Sequence, residues 1–106
     1  MNPDLRAIKP LEKKLIEYLL QKAGLNPAQY PISNLVYEYE GGKMGSISME
    51  NGNPEHYDSD IVQIEYLDSD QVPVVITLTK NMNGQLLDLD FWKTDFSKLI
   101  TYPSFD

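Results

Sequence analysis

His56 is the one histidine of this 106-residue chain, set in a polar loop beside Tyr57 and Asp58. An imidazole next to a phenol and a carboxylate is the smallest unit of general acid–base chemistry. A Ser-His-Asp mechanism would need it, but the sequence holds no Gly-x-Ser-x-Gly elbow, so His56 reads as an exposed loop histidine. Asp58-Ser59-Asp60 and Asp68-Ser69-Asp70 set carboxylates two residues apart, and hard cations such as calcium or magnesium take such oxygens. Neither segment fits the twelve-residue loop with a central glycine and a terminal Glu. Asp and Ser are also ordinary turn residues, and no metal site is expected. Asp88 and Asp90 alternate along one strand face, roughly 6–7 Å apart at the strand rise. Glycosidases use carboxylates at about that spacing, but within a deep sugar cleft. A small sheet has little room for one, so the pair reads as part of a solvated acidic face.

The acidity has a definite place. Residues 35–92 carry eleven acids (Glu38, Glu40, Glu50, Glu55, Asp58, Asp60, Glu65, Asp68, Asp70, Asp88, Asp90) against Lys43 and Lys80, a net of −9. Residues 1–34 carry five bases against three acids, and the last 14 residues balance, which leaves −7 for the chain. Acids alternating with apolar residues must gather on one sheet face or in the turns. A surface of that sign repels phosphate, so nucleic acid is not an expected partner. It favours a basic one. The aromatic residues Tyr37, Tyr39, Tyr66 and Trp92 are interleaved with acids, whereas base-stacking platforms interleave bases.

Cysteine is absent, which removes disulfides, thiolate nucleophiles and Cys-ligated metals, and fits a reducing cytoplasm. Residues 1–10 show no apolar signal-peptide core, and no apolar run reaches the roughly 20 residues a bilayer demands. A cytoplasmic protein without membrane attachment is expected.

The elements follow from punctuation and period. Pro10 suits a first helical position, and Leu11, Leu15, Leu19 and Ala23 recur on one stripe widened by Ile16 and Leu20. Gly24 caps and Pro27 ends the run, so a helix is predicted over about 10–23. Asn26 is placed to cap a short turn opened by Pro27. Five strands are then expected. Leu35–Glu40 has Leu35, Tyr37 and Tyr39 opposite Val36, Glu38 and Glu40. Lys43–Glu50 follows a Gly41-Gly42 hairpin, with Ile47 and Met49 on one face. Asp60–Leu67, Val72–Lys80 and Gln85–Lys93 complete the set, with inner residues such as Val62, Ile64, Val74, Ile76, Leu89 and Phe91. Gly41-Gly42-Lys43-Met44-Gly45-Ser46 is glycine-rich, but no helix follows it to hold a phosphate. Gly45 marks a bulge or a close packing contact. The apolar tail, with Phe96, Leu99, Ile100, Tyr102 and Phe105, is expected to fold back, with Asp95 capping a helical turn and Lys93 pairing with Asp95 or another nearby acid.

Short loops imply antiparallel neighbours. The predicted fold is α+β: one domain over residues 1–106, an N-terminal helix on a five-stranded antiparallel meander, and the C-terminal segment over the core.

The segment Leu87-Asp88-Leu89-Asp90-Phe91-Trp92-Lys93-Thr94-Asp95-Phe96-Ser97-Lys98-Leu99, with the Pro10-Leu11-Glu12 helix start, resembles a small bacterial family of unknown function. Its most specific part is Trp92-Lys93-x-Asp95-Phe96-Ser97-x-Leu99. The resemblance covers most of the chain and implies a small α+β domain with no catalytic residues to carry over. In size and charge the chain is also similar to the immunity proteins of toxin systems, an analogy only.

These readings lead to a non-enzymatic protein-interaction domain with no cofactor. Its acidic sheet face is expected to hold Glu38, Glu40, Glu65, Asp88, Asp90 and Trp92, and to meet a basic protein in an immunity-like or inhibitory role. Open sheet edges also suit a homodimer. The alternative is a small-ligand or cation-binding domain using Asp88, Asp90 and Glu65. A binding face requires Trp92 exposed beside the acids, a ligand site requires those acids to converge, and an enzyme requires His56 in a cleft.

Overall fold

The computed structural model describes residues 5–39, 44–49 and 56–104. Strand β1 (Leu5–Ala7) leads into helix α1 (Pro10–Lys22) and a 3₁₀ turn (Pro27–Gln29). Then come β2 (Leu35–Glu38), β3 (Ile47–Ser48), β4 (Tyr57–Leu67), β5 (Pro73–Asn81) and β6 (Leu86–Lys93). The six strands form one sheet in the order β1-β2-β3-β6-β5-β4, antiparallel at every pairing. The fold is therefore α+β, with six strands where the sequence predicts five. The added strand, β1, has three residues and no alternation of its own. It is a strand because Leu5, Arg6 and Ala7 register with Tyr37, Val36 and Leu35.

The simple meander holds for β2-β3 and for β4-β5-β6 and breaks between β3 and β4. β3 lies beside β6, with Ile47 opposite Leu89 and Ser48 opposite Asp88, and Met49 N–H donates to the Leu87 carbonyl at 2.7 Å. The chain thus passes from mid-sheet at β3 to the far edge at β4. The connection between them is too long to force neighbours to pair. The Gly41-Gly42 hairpin, Glu40 and Phe105 lie outside the described residues.

Helix α1 starts at Pro10, whose missing N–H is not needed there. It ends in a Schellman motif, in which Gly24 N–H donates to Gln21 and Leu25 N–H to Leu20. Gly24 takes the left-handed φ of +78° this requires. The buried stripe is Glu12, Leu15, Ile16, Leu19 and Leu20. It matches the predicted stripe at Leu15, Ile16, Leu19 and Leu20 and departs from it at the ends: Ala23 is exposed, and Leu11 is exposed and Glu12 buried, because Glu12 binds Arg6 of β1. Leu15, Ile16, Leu19 and Leu20 pack with Val36, Ile47, Val74, Ile76, Leu78, Leu89 and Phe91 in one cluster. The inner faces of β4, β5 and β6 are those predicted. Asn26 Oδ1 caps the 3₁₀ turn through Ala28 N–H, also as predicted.

Two ionic knots tie this inner layer. Arg6 grips Glu12 with both Nη atoms (2.9 and 2.7 Å) and Glu38 through Nε at 2.9 Å. Glu12 also accepts from Lys9 N–H at the helix start. Glu38 is thereby on the inner face, beside Val36 and opposite Ile47. The second knot is Lys93, whose side chain is wholly buried. Its Nζ donates to Asp68 Oδ2 (2.9 Å), Asp70 Oδ2 (2.7 Å) and the Lys98 carbonyl (3.1 Å). Asp68 also accepts from the N–H groups of Ser69, Ile100 and Thr101. The tail folds back through Leu99 and Tyr102, which pack on the core, the ring of Tyr102 meeting Phe91 at 5.4 Å, whereas Phe96 and Ile100 stay exposed. No helical turn forms at Asp95, which instead accepts from Ser97 N–H and Oγ. Gly45 makes the anticipated close approach: its φ is +93°, and a Cβ there would lie 3.4 Å from Leu99 Cδ2.

Burial alone would raise the Asp68 carboxyl. The Ile100 N–H, the Lys93 ammonium and the N–H groups of Ser69 and Thr101 outweigh that and hold it below the ordinary value of 3.8. Its contribution to stability is therefore complete above that value and lost as pH falls through the depressed one. Asp68→Ala, which leaves Lys93 with a broken buried pair, is expected to cost about 3–5 kcal/mol in urea unfolding. Asp68→Asn is expected to flatten the loss of wild-type stability between about pH 5 and pH 2. An unchanged acid limb would contradict this role.

Candidate functional site

Registered partners share a sheet face, so the outer face of this sheet can be read in rows. Gln63, Thr77 and Asp90 form one row, and Glu65, Val75 and Trp92 the next. Asp60 and Thr79 lie in a third, continued by Asp88, Ser48 and Tyr37. Thr79 Oγ1 accepts from Asp88 N–H at 3.0 Å, which joins the two parts of that row. Leu67, opposite Pro73, extends the Trp92 end. These rows hold four acids and no base, and among the described residues no helix lies over them.

Along β6 the faces alternate from Leu87 to Lys93, and Leu86 before them is buried as well. Leu87, Leu89 and Phe91 are buried, whereas Asp90 and Trp92 are exposed. Trp92 keeps 51% of its surface in water. Phe96 lies against it, ring centroids 6.2 Å apart. Phe96 itself has φ +64°, a left-handed conformation that costs a side chain with a Cβ about 1–2 kcal/mol. That backbone turns its ring onto Trp92 and not into the core, and Phe96 stays 64% exposed. Leu67, also exposed, lies on β4 at the same end of this face. Glu65 and Asp90 share the face.

The carboxylates of this face are held by hydroxyls. Tyr39 Oη donates to Asp88 Oδ1 (2.9 Å), Ser46 Oγ to Asp90 Oδ1 (3.0 Å) and Tyr57 Oη to Asp60 Oδ1 (2.7 Å). Ser46 Oγ accepts in turn from Phe91 N–H. Burial, against a Ser48 hydrogen bond and with the charges of Asp88 and Asp90, pushes Tyr39 up to about 12. The hydrogen bond to Asp60 raises Tyr57.

Of the residues singled out by sequence, Glu65, Asp88, Asp90 and Trp92 share this face. Glu38 does not: Arg6 holds it on the other side. Glu40 lies outside the described residues. Asp88, Asp90 and Glu65 occupy three different rows and do not converge. Among the described residues no three His, Cys, Asp or Glu side chains stand together as metal ligands. Asp68 and Asp70 are engaged by Lys93, and His56 is exposed at the start of β4. Leu67 and Phe96 are the partners the sequence reading missed. Leu67 follows Glu65 at the strand period of two, which is a usable signal. Nothing local announces the left-handed turn at Phe96.

A family model described as Domain of unknown function (DUF6984) matches residues 5–103. No curated protein and no solved structure matches the chain. Among the described residues no helix is long and apolar enough to cross a membrane.

Trp92, the chain's single tryptophan, reports on this face. Its emission is expected to be that of a water-exposed indole. At low ionic strength caesium is expected to quench it more efficiently than iodide, because the flanking acids concentrate cations. Blue-shifted emission, or preference for iodide, would contradict the geometry.

Proposed function

The chain belongs to the DUF6984 family, and from that premise we propose that it is a non-enzymatic protein-interaction domain whose outer sheet face receives a basic protein. The observation that carries this reading is Trp92, exposed with Phe96 against it and with Glu65 and Asp90 on the same face. Tryptophan is among the residues that most often dominate binding energy, and it does so when apolar contact is ringed by polar groups. The net of −9 over residues 35–92 supplies the sign of the partner and an on-rate that falls with salt. An immunity-like or inhibitory role against a basic bacterial protein in the cytoplasm is the sharpest form of this proposal. A cation or small-ligand site at Asp88, Asp90 and Glu65 is less favoured, since those acids lie in separate rows. Self-association through the same face would set acids against acids and is disfavoured.

The test is capture from lysate of the native source at low and high salt, run with variants. A single basic protein is expected to be retained at low salt and released at high salt. Trp92→Ser is expected to weaken it by about 2 kcal/mol, roughly thirtyfold. Glu65→Gln with Asp90→Asn is expected to slow association, while Lys14→Ser on the exposed side of α1 changes nothing. Retention indifferent to Trp92 and to the acids would overturn the proposal, as would no retention at low salt.

A further inference from the structure

A cleft of about 250 Å³ opens where the start of α1, the tail and the β2–β3 end of the sheet meet. It is lined by Arg6, Lys9, Leu11, Lys98, Ile100 and Tyr102, with Glu12 and Glu38 among its other walls. Its volume is near the lower end of small-molecule sites, roughly 300–1,000 Å³. Its polar groups are unequally committed. Both Glu12 and Glu38 are held by Arg6. Arg6 makes four hydrogen bonds from its five N–H groups, which leaves one N–H over. Lys9 and Lys98 are exposed and have no ion pair among the described residues. Tyr102 Oη is shut off from solvent and has no hydrogen-bond partner among the described residues, a condition native structures seldom leave without reason.

The cleft therefore has donors in excess of acceptors, in a chain whose net charge is −7. Among the described residues three cations face two carboxylates there, a local sign opposite to the net charge of the chain. Its mouth is also apolar: Leu11 is 51% and Ile100 62% exposed. Donors and cations beside exposed aliphatic side chains suit one chemical class. We propose that this cleft binds a small carboxylate with an apolar body, its oxygens facing Lys9 and Lys98 and its apolar part against Leu11 and Ile100. The site is separate from the outer face, so it stands or falls independently of the protein-partner reading.

The test is an NMR titration of the full chain with phenylacetate and, in parallel, phenylacetamide, which has the same shape and no charge. Phenylacetate is expected to shift the amides of Lys9, Leu11, Ile100 and Tyr102 along one saturable curve. It is expected to bind about tenfold more tightly than the amide, as charge-assisted hydrogen bonds require. Lys9→Met with Lys98→Met, both at exposed positions, is expected to remove most of that preference. Equal binding of acid and amide would overturn the proposal, as would shifts that fail to saturate or that scatter over the sheet. Undiminished phenylacetate binding by the lysine variant would overturn it too.

Discussion

An ammonium with no access to water must be neutralised where it lies, and Lys93 meets that demand with two carboxylates and a carbonyl. The groups come from different parts of the chain: the β4–β5 turn gives Asp68 and Asp70, and the tail gives the Lys98 carbonyl. Asp68 is saturated in turn by two tail N–H groups and that of Ser69. Two apolar side chains of similar volume would avoid the desolvation of both charges. They would not gather the backbone of Ile100 and Thr101 onto a fixed point. What the buried pair supplies is direction for a tail that has no strand or helix to guide it.

That direction reaches both candidate sites. Lys93 is the last residue of β6, and Trp92 is its neighbour on the opposite face. With Lys93 fixed inward, Trp92 is fixed outward by the period of the strand. The turn that follows then lays Phe96 against it. Beyond the turn, Lys98, Ile100 and Tyr102 form one wall of the cleft. The sheet thus has two differently treated faces. On the inner face charges are paired, Arg6 with Glu12 and Glu38, and Lys93 with Asp68 and Asp70. On the outer face carboxylates accept from hydroxyls and keep their charge toward water.

How much of this was legible depended on whether the cause was local. The helix was readable because Pro10, the apolar stripe and Gly24 are local signals, and β5 and β6 because alternation is local. Strand order was not, since nothing between Met49 and Tyr57 states where the chain goes. The face of Glu38 was misread for the same reason. Leu35, Tyr37 and Tyr39 form the more apolar set, yet Val36 is the buried residue. Arg6, 32 positions earlier, decides it. Four of the six proposed face residues, Glu65, Asp88, Asp90 and Trp92, are brought together because their strands alternate cleanly. Lys93 read as a strand end with an acid nearby. Its partners lie 23 and 25 residues back, not at Asp95. The cleft could not be read at all, because its walls come from three distant segments.

Native-state hydrogen exchange at Ile100 and Thr101 reads out whether the buried Lys93–Asp68 pair orders the tail. Both N–H groups donate to Asp68 and to no strand. The account predicts that they exchange as slowly as the amides of β5 and β6, opening only when the whole sheet unfolds. Exchange of these two amides at the rate of a free peptide, while β5 and β6 stay protected, would contradict it.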